Sequence, residues 1–291
     1  MSQTYQIFTD SSCDLPQERA DAYELHVVPL TVQMNGKSYR NELDGREIAF
    51  SDFYAALRAG TPASTSAVNP EAFRAEMEPV LQAGIDILYI GFSSGLSTTY
   101  QSGCIAAAEL REKYPERTIL TVDSLCASLG QGLLVHHAVQ KKNAGASIEE
   151  LAQYLEDNKL HLCHWFTVDD LNFLKRSGRV SGATAMIGTV LNIKPILYGS
   201  ADGHIVACGK VRGRKKAIDT LVETYAKKQV DAANHLVAIS HGDCLADAQL
   251  LAEKVRAVAA PKDILIVPHE PFSGAHVGPG MLALFFYGSE R

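Results

Sequence analysis

Residues 85–99 read IDILYIGFSSGLSTT, and this stretch decides the fold that the sequence predicts. Its first part, 85–92, is largely apolar, as expected of a strand that is buried on both faces of a parallel sheet. Five hydroxyl side chains and Gly95 follow, and they lead into an alanine-rich helix that is predicted over 97–114. A strand, a small-residue turn and a helix in this order predict one βαβ unit of a parallel sheet.

The same order of elements recurs on both sides of this stretch. Strands are predicted over 5–9 and 118–122, and a helix over 125–143 follows the second of them. Together these elements predict a Rossmann-like α/β domain that is built on a parallel sheet.

The second half of the chain mixes hairpin signals with helices. Ala201-Asp202-Gly203 is a turn signature between two predicted strands. Further elements are predicted as strands over 161–168, 194–198, 204–208, 236–240, 264–267 and 281–287, and as helices over 169–175, 215–228 and 244–258. We therefore predict two α/β domains, residues 1–158 and 159–291. The second is expected to hold a mixed or antiparallel sheet, and some segments are expected to cross between the domains.

Composition and charge limit the classes of function. The 291 residues include 27 Lys and Arg against 33 Asp and Glu, which gives a net charge of −6 and argues against nucleic-acid binding. The first residues lack a basic segment before an apolar core, and no uncharged apolar run approaches the ~20 residues that span a bilayer. We therefore expect a cytoplasmic protein. No two of the six cysteines form a CxxC pair, and we expect no metal site.

Hydroxyl side chains cluster where predicted strands end or predicted helices begin. The clusters are Thr9/Ser11/Ser12, Thr61/Ser64/Thr65/Ser66, Ser93/Ser94/Ser97/Thr98/Thr99 and Ser124. The carboxyl ends of parallel strands form a ligand crevice, and helix N-termini at that edge attract anions. The pattern therefore indicates an anion site, and helix capping by Ser94 or Ser97 is the alternative.

Three further motifs supply groups that bind anions. His276 lies in SGAHVGPG, where two glycines around a proline predict a tight turn and the imidazole can donate to a carboxylate. Arg176 and Arg179 flank a predicted helix stop, where an arginine either clamps a carboxylate or faces solvent. Residues 209–216, GKVRGRKK, hold five basic side chains. They indicate either a docking surface for an acidic or phosphate-bearing partner or a solvated helix start.

Short motifs in order along the chain resemble the DegV family. They are FTDSSCDLP at 8–16, TSAVNP at 65–70, FSSGLSTTYQS at 92–102, VDS at 122–124, LKRSGRVS at 174–181, VRGRKKA at 211–217 and HVGPG at 276–280. The resemblance runs nearly from end to end of the chain. It departs from the family at Thr98, which stands where a glycine is usual.

The resemblance implies a lipid-binding protein with a long-chain fatty acid, such as palmitate, stearate or oleate, in a buried tunnel between or beneath two domains. The stretches 183–197 and 281–287 are expected to wall that tunnel. The resemblance also implies a role in phospholipid metabolism without a cofactor. Such a protein is not an enzyme by itself but presents the acyl carboxylate to a fatty acid kinase related to dihydroxyacetone kinases. Transient membrane contact is compatible with this role.

Carried over residue by residue, the resemblance assigns the carboxylate to hydroxyl and imidazole groups. These groups belong to Thr65, Ser66, Ser93, Ser94, Ser97 and His276. Arg179 is expected to order this network, and Arg212 and Arg214 are expected to dock the kinase. Two alternatives stay open. One is a serine hydrolase or acyltransferase, against which the missing nucleophile elbow weighs. The other is a regulatory module that binds phosphate or another small anion.

Overall fold

The protein is described by a computed structural model that covers residues 4–181 and 192–291. Its first part holds seven strands and six helices. The strands are β1 (Tyr5–Asp10), β2 (His26–Val28), β3 (Thr31–Met34), β4 (Lys37–Arg40), β5 (Ala63–Ser66), β6 (Asp86–Gly91) and β7 (Ile119–Asp123). The helices are α1 (Gln17–Ala22), α2 (Phe50–Arg58), α3 (Pro70–Gln82), α4 (Thr99–Lys113), α5 (Leu129–Asn143) and α6 (Ile148–Asn158).

The predicted parallel sheet is confirmed. Four strands pair in the order β2-β1-β6-β7, and each neighbouring pair is parallel. All six residues of β6 are buried, because this central strand is covered on both faces by helices and loops. The ends of β6 and β7 therefore lie side by side at the carboxyl edge of the sheet, where a ligand crevice is expected.

A small antiparallel sheet of order β4-β3-β5 was not predicted from the sequence. Its first hairpin turns at Asn35-Gly36, and both residues have positive φ, 53° and 71°. An Asn-Gly pair in this conformation is typical of two-residue hairpins, so the signal was present in the sequence. The sheet carries Thr65 on β5, which is one of the predicted site residues.

The second part of the chain forms a seven-stranded mixed sheet, as predicted, in the order β13-β12-β14-β8-β10-β11-β9. Its strands are β8 (Leu162–Thr167), β9 (Val180–Ser181), β10 (Ile193–Gly199), β11 (Ile205–Arg212), β12 (Leu236–His241), β13 (Asp263–Pro268) and β14 (Leu282–Tyr287). Its helices are α7 (Leu171–Ser177), α8 (Arg214–Lys228), α9 (Leu245–Val258) and α10 (Pro271–Val277). Single 3₁₀ turns lie at Ser11–Cys13, Lys159–His161 and Ala232–Asn234.

Helix α5 joins the two sheets. It is buried on nearly all sides and contacts β6 of the parallel sheet as well as β8, β12 and β14 of the mixed sheet. One hydrophobic core therefore runs through both parts of the chain. All described strands up to Asp123 belong to the first part and those from Leu162 onward to the mixed sheet, and the boundary at residue 158 stays a prediction.

Glycines allow α5 to lie this close to its neighbours. A methyl group at Gly130 would overlap Nε2 of His164, a buried side chain on β8. A methyl group at Gly132 would approach the carbonyl oxygen of Cys13 to 2.5 Å. The helix was predicted to begin at residue 125 but begins at Leu129, because Leu125 and Ser128 adopt positive φ, 51° and 53°.

We predict that Gly130→Ala lowers the free energy of unfolding. Helix propensity alone would favour alanine by about 1 kcal/mol. Overpacking against the fixed ring of His164 costs up to about 3 kcal/mol, which should outweigh this gain and leave a net loss of about 1–2 kcal/mol. Urea unfolding followed by circular dichroism measures the change.

The control for this prediction is Gly209→Ala. An added methyl group at Gly209 on β11 meets only Cβ of Ile196, at 3.8 Å, which is ordinary contact. This variant should unfold near the wild-type midpoint. Equal stability of the Gly130→Ala variant and the wild type would contradict the close packing of α5.

Candidate functional site

A cavity of about 480 Å³ lies between the carboxyl edge of the parallel sheet and the mixed sheet. Its wall is formed by the loops after β6 and β7, by β5 and α10, and by β8, β14 and the β10–β11 turn. This volume falls in the range of roughly 300–1,000 Å³ that is usual for small-molecule sites. It lies at the edge of the sheet where the strand-end pattern predicts a ligand crevice.

The two ends of the cavity differ in polarity. The interior is walled by buried apolar side chains, among them Phe166, Leu174, Phe272, Met281 and Phe285. Twelve lining residues reach solvent. Seven of them are polar, and we call these the mouth: Thr65, Ser94, Ser97, Thr98, Arg179, His204 and His276. The other five are apolar: Ala67, Leu96, Leu125, Ala127 and Ile205. A ligand with one polar end and a long apolar body fits this division.

Thr65 and His276 face each other across the mouth. Oγ1 of Thr65 lies 2.8 Å from Nε2 of His276, although the residues are 211 positions apart. His276 was expected in a tight turn, but it lies in the last turn of α10, and the turn follows it at Gly278 and Gly280 with φ of 76° and 78°. Gly274 lets α10 pack directly on the hydroxyl group of Tyr54.

His276 is a neutral imidazole in this setting. Burial lowers its pKa to about 4, and the nearby positive charges of Arg179 and His269 act in the same direction. An anion at the mouth would oppose these effects. Because the neutral ring is bonded to Thr65, the pair can donate one hydrogen bond to a carboxylate oxygen. The donor is either Nδ1–H of His276 or the hydroxyl group of Thr65, depending on the tautomer.

The loop between β6 and α4 supplies the other hydroxyl groups of the mouth. Ser94 is exposed, and its backbone N–H donates to Oδ1 of Asp123 at 3.3 Å. The Oγ of Ser97 accepts the N–H of Thr99 at 3.2 Å and lies 2.9 Å from that residue's Oγ1. Ser97 therefore bonds to the first residue of α4 and also lines the cavity, and its role in anion binding stays a prediction.

Arg179 lies at the mouth, beyond the end of α7. The predicted helix stop is confirmed, because Gly178 adopts the left-handed conformation that ends the helix. The exposed guanidinium group of Arg179 donates to the carbonyl oxygen of Ser177 and lines the cavity. Arg176 instead packs over the ring of Phe173, at 4.7 Å.

Two predicted residues, Ser93 and Ser66, do not line the cavity. The hydroxyl group of Ser93 is fully buried and donates to the carbonyl oxygen of Gly203 at 2.7 Å, which holds the β10–β11 turn against the first part of the chain. Ser66 follows Thr65 on β5, and successive side chains of a strand point to opposite faces. Its Oγ accepts from Gln33 instead, at 3.5 Å.

The first hydroxyl cluster is structural. Oγ of Ser12 lies within hydrogen-bond distance of Oδ1 of Asp10 and, at 2.9 Å, of Oε1 of Gln131. Gln131 in turn donates to Oγ1 of Thr9 at 3.0 Å, and Ser11 accepts the N–H of Leu30 at 3.0 Å. These groups satisfy one another in the core between β1 and α5, away from the cavity.

The two arginines expected to dock a kinase differ in their surroundings. Arg214 is bound internally, because its guanidinium group pairs with Asp247 at 2.9 Å and donates to the carbonyl oxygen of Gly280 at 2.8 Å. Arg212 is exposed on β11, as is Lys210. Only Arg212 of the predicted pair therefore presents a free surface.

The cavity wall also holds residues that the sequence analysis missed or treated as structural. They are Ser128, His164, His269 and Ser273. Of the expected apolar walls, 281–287 contributes Met281, Ala283 and Phe285, whereas most of 183–197 lies outside the described residues. His269 directly follows β13, so the strand-end rule that found Ser94 would also have found it.

Within residues 4–181 and 192–291, no group of three or more His, Cys, Asp or Glu side chains is arranged to hold a metal ion. No helix in the same ranges is long and apolar enough to cross a membrane.

Comparisons with known proteins agree with this architecture. A family model described as "Uncharacterised protein, DegV family" matches residues 4–289. A DegV domain-containing protein of Clostridium perfringens is 43% identical over 98% of this chain and 98% of its own length. Two solved structures each cover 99% of this chain and 100% of their own with a TM-score of 0.87. They are a DegV lipid-binding protein of Thermotoga maritima, 28% identical, and a fatty-acid-binding DegV family protein of Thermus thermophilus, 31% identical. This chain therefore belongs to the DegV family.

Proposed function

We propose that this protein binds one long-chain fatty acid, with the acyl chain in the cavity and the carboxylate at the mouth. The observation that most directly supports this proposal is that the cavity has a mainly apolar interior and a mouth where Thr65 and His276 meet. Ser94, Ser97 and Arg179 complete the set of donors. The fatty-acid binding of the Thermus thermophilus relative supports the same ligand class.

The acyl chain should contribute most of the binding free energy. Burying roughly 14 methylene groups at about 0.8 kcal/mol each contributes on the order of 10 kcal/mol before the costs of ordering. The carboxylate then needs donors that replace its water, because an unpaired buried charge would be costly. Neutral hydroxyl and imidazole donors together with one arginine meet that need.

We further propose that the protein presents the carboxylate to a partner kinase that forms an acyl phosphate. The mouth is the solvent-exposed end of the cavity, so a bound carboxylate would be within reach of a second protein. Lys210 and Arg212 give one face of β11 a positive charge in an acidic protein. Such a surface favours an acidic or phosphate-bearing partner.

Geometry argues against a serine hydrolase. In a catalytic triad the serine and the acid bind opposite nitrogens of the histidine. Here Asp14, Ser128 and Ser240 all approach Nδ1 of His269, at 2.7, 3.3 and 2.9 Å. At the mouth, His276 has no carboxylate partner within the described ranges. A regulatory module for phosphate would have no use for the large apolar interior.

The direct test is native mass spectrometry of protein purified from bacterial cells. We expect one fatty acid per chain, or uptake of one added palmitate or oleate by delipidated protein. Protein that carries no acid and takes up neither would rule out the proposed function.

We predict that Thr65→Val weakens fatty-acid binding. Valine keeps the shape of threonine but removes the hydroxyl group, and a hydrogen bond to a charged group contributes about 1.5–3 kcal/mol, or roughly 10–100-fold in Kd. Displacement of a fluorescent fatty acid measures Kd. Ser66→Ala, one residue along the strand and off the cavity, is the matched control and should bind like the wild type. Equal effects of both substitutions would contradict the assigned carboxylate position.

We predict that fatty-acid binding raises the pKa of His276. In the free protein this pKa is about 4, below the ordinary 6.5, and a carboxylate near the ring should raise it by about 1–3. Carbon–proton NMR spectra of the imidazole, recorded against pH with and without palmitate, measure the change. His136 also has a pKa of about 4 but lies in a separate cleft, so its titration should not move. An unchanged His276 would place the carboxylate elsewhere.

We predict that Arg212→Ala slows acyl-phosphate formation by a partner kinase at limiting protein concentration, without weakening fatty-acid binding. The exposed guanidinium group contacts neither the cavity nor the core. Arg214→Ala should instead lower thermal stability, because it removes the ion pair with Asp247 and the bond to Gly280. Lys37→Ala, an exposed cation on β4, serves as the control for a general charge effect. Equal rates for Arg212→Ala and Lys37→Ala would contradict docking at β11.

A further inference from the structure

A second set of polar side chains lies in the interior of the cavity wall, and we call it the interior group. Its members are Ser128, His164, His269 and Ser273, which are 4%, 5%, 3% and 9% exposed. A cavity that served only a hydrocarbon chain would not need them, because buried polar groups are costly unless they are hydrogen-bonded. The mouth is already provided with its own donors.

His269 is fixed by one of its two ring nitrogens. Nδ1 lies 2.7 Å from Oδ2 of Asp14, and the same oxygen accepts from Ser128 at 2.6 Å and from Ser240 at 2.8 Å. No hydrogen-bond partner of Nε2 is found within residues 4–181 and 192–291. The ring lines the cavity, so Nε2 is the nitrogen that remains for a ligand.

The raised pKa of His269 favours a proton on this nitrogen. Burial alone would lower the pKa of His269, but the charge and hydrogen bond of Asp14 overcome it and raise the pKa above its ordinary value. A protonated His269 ring and the Asp14 carboxylate together carry no net charge, and burial raises the pKa of the neighbouring Glu270 to about 7, which favours its neutral form. Such a pair suits a neutral oxygen atom better than it suits a second carboxylate.

One more polar atom of the interior group lacks a partner. Oγ of Ser273 is buried and has no hydrogen-bond partner in the part of the chain that the structure describes, and it lies close enough to Glu270 to lower the pKa of that carboxyl group. Nε2 of His164 is also buried and unpaired, but it packs against Gly130 on α5. Each such group costs on the order of 1–3 kcal/mol, and native proteins hold few of them. Nε2 of His269 and Oγ of Ser273 are thus two unpaired polar atoms on the wall of one cavity, and they indicate a ligand that is polar there.

We propose that the preferred ligand is a long-chain fatty acid with a hydroxyl or keto oxygen near the middle of its chain. This inference rests on the proposed function, since it assumes that the carboxylate binds at the mouth. His269 lies two residues before α10, and His276 lies in its last turn. The five helical steps from Pro271 to His276 span about 7.5 Å, and the two steps before them add up to about 3.3 Å each, so the two anchors are separated by roughly 10–14 Å. A mid-chain oxygen would then meet His269 and Ser273 while the carboxylate meets Thr65 and His276.

The test compares 10-hydroxystearate with stearate on the wild-type protein by displacement of a fluorescent fatty acid. In an apolar tunnel the hydroxyl group would lose its water without replacement and bind roughly 10–100-fold more weakly. We expect 10-hydroxystearate to bind at least as tightly as stearate. A higher Kd for 10-hydroxystearate would overturn the inference and leave the proposed function intact. Binding of neither acid would overturn both.

Variants of the wall residues test which side chains recognise the mid-chain oxygen. Ser273→Ala and His269→Gln should each lower the preference for 10-hydroxystearate over stearate severalfold, because each removes or displaces a donor from the interior. Thr65→Val should weaken both acids alike and leave their ratio unchanged. The serine substitution removes no existing hydrogen bond of the described chain, so it keeps the test usable if His269→Gln fails to fold. An unchanged ratio in Ser273→Ala and in folded His269→Gln would overturn the inference.

Discussion

The buried carboxylate of Asp14 is the interaction on which the site depends. It joins its own segment, which follows β1, to three others. These are the start of α5 through Ser128, β12 through Ser240, and the residues before α10 through His269 and the N–H of Glu270. A charge this deep is stable only when it is paired and fully hydrogen-bonded, and removing one partner of such a pair typically costs about 3–5 kcal/mol. The pairing therefore ties the parallel sheet to the mixed sheet and fixes where α10 begins. Since α10 contains His276, the position of this residue at the mouth of the cavity depends on the pairing of Asp14.

Close packing along α10 also fixes the position of the end of this helix, where His276 lies. Tyr54 donates to the carbonyl oxygen of His269 at 3.0 Å, and Gly274 lies directly against its ring. The same short helix lies beside the small sheet that presents Thr65. Two residues that are far apart in sequence therefore meet at hydrogen-bond distance without any direct constraint between them. Side chains on rigid elements hold such a geometry more accurately than side chains on loops.

The sequence predicted well where burial alone determines structure. Long apolar strands such as β6 and the periodic helices α8 and α9 were found within a few residues, because the hydrophobic pattern reports directly on the core. The strand-end rule also located Ser94 and Ser97. It could not separate them from Ser93, because a hydroxyl group serves equally well as a ligand donor or as an internal bond to Gly203. His269 was missed because the rule was applied only to hydroxyl residues, and its role depends on Asp14, 255 positions away.

If the proposed function holds, the interior of the cavity contributes most of the binding free energy, and this suits a carrier. On the proposed function, the acyl chain contributes on the order of 10 kcal/mol and each hydrogen bond at the mouth about 1–3 kcal/mol. Retention of the ligand therefore depends mainly on the interior, and the mouth can be arranged for reactivity with little loss of affinity. On the same proposal, a neutral His276 and uncharged hydroxyl groups position the carboxylate, and Arg179 is the one cation among the mouth residues, so the carboxylate oxygen stays nucleophilic toward a phosphoryl donor. Polar atoms in the interior reduce the affinity for plain hydrocarbon chains, so their presence is consistent with selection for a particular acyl chain rather than with retention alone.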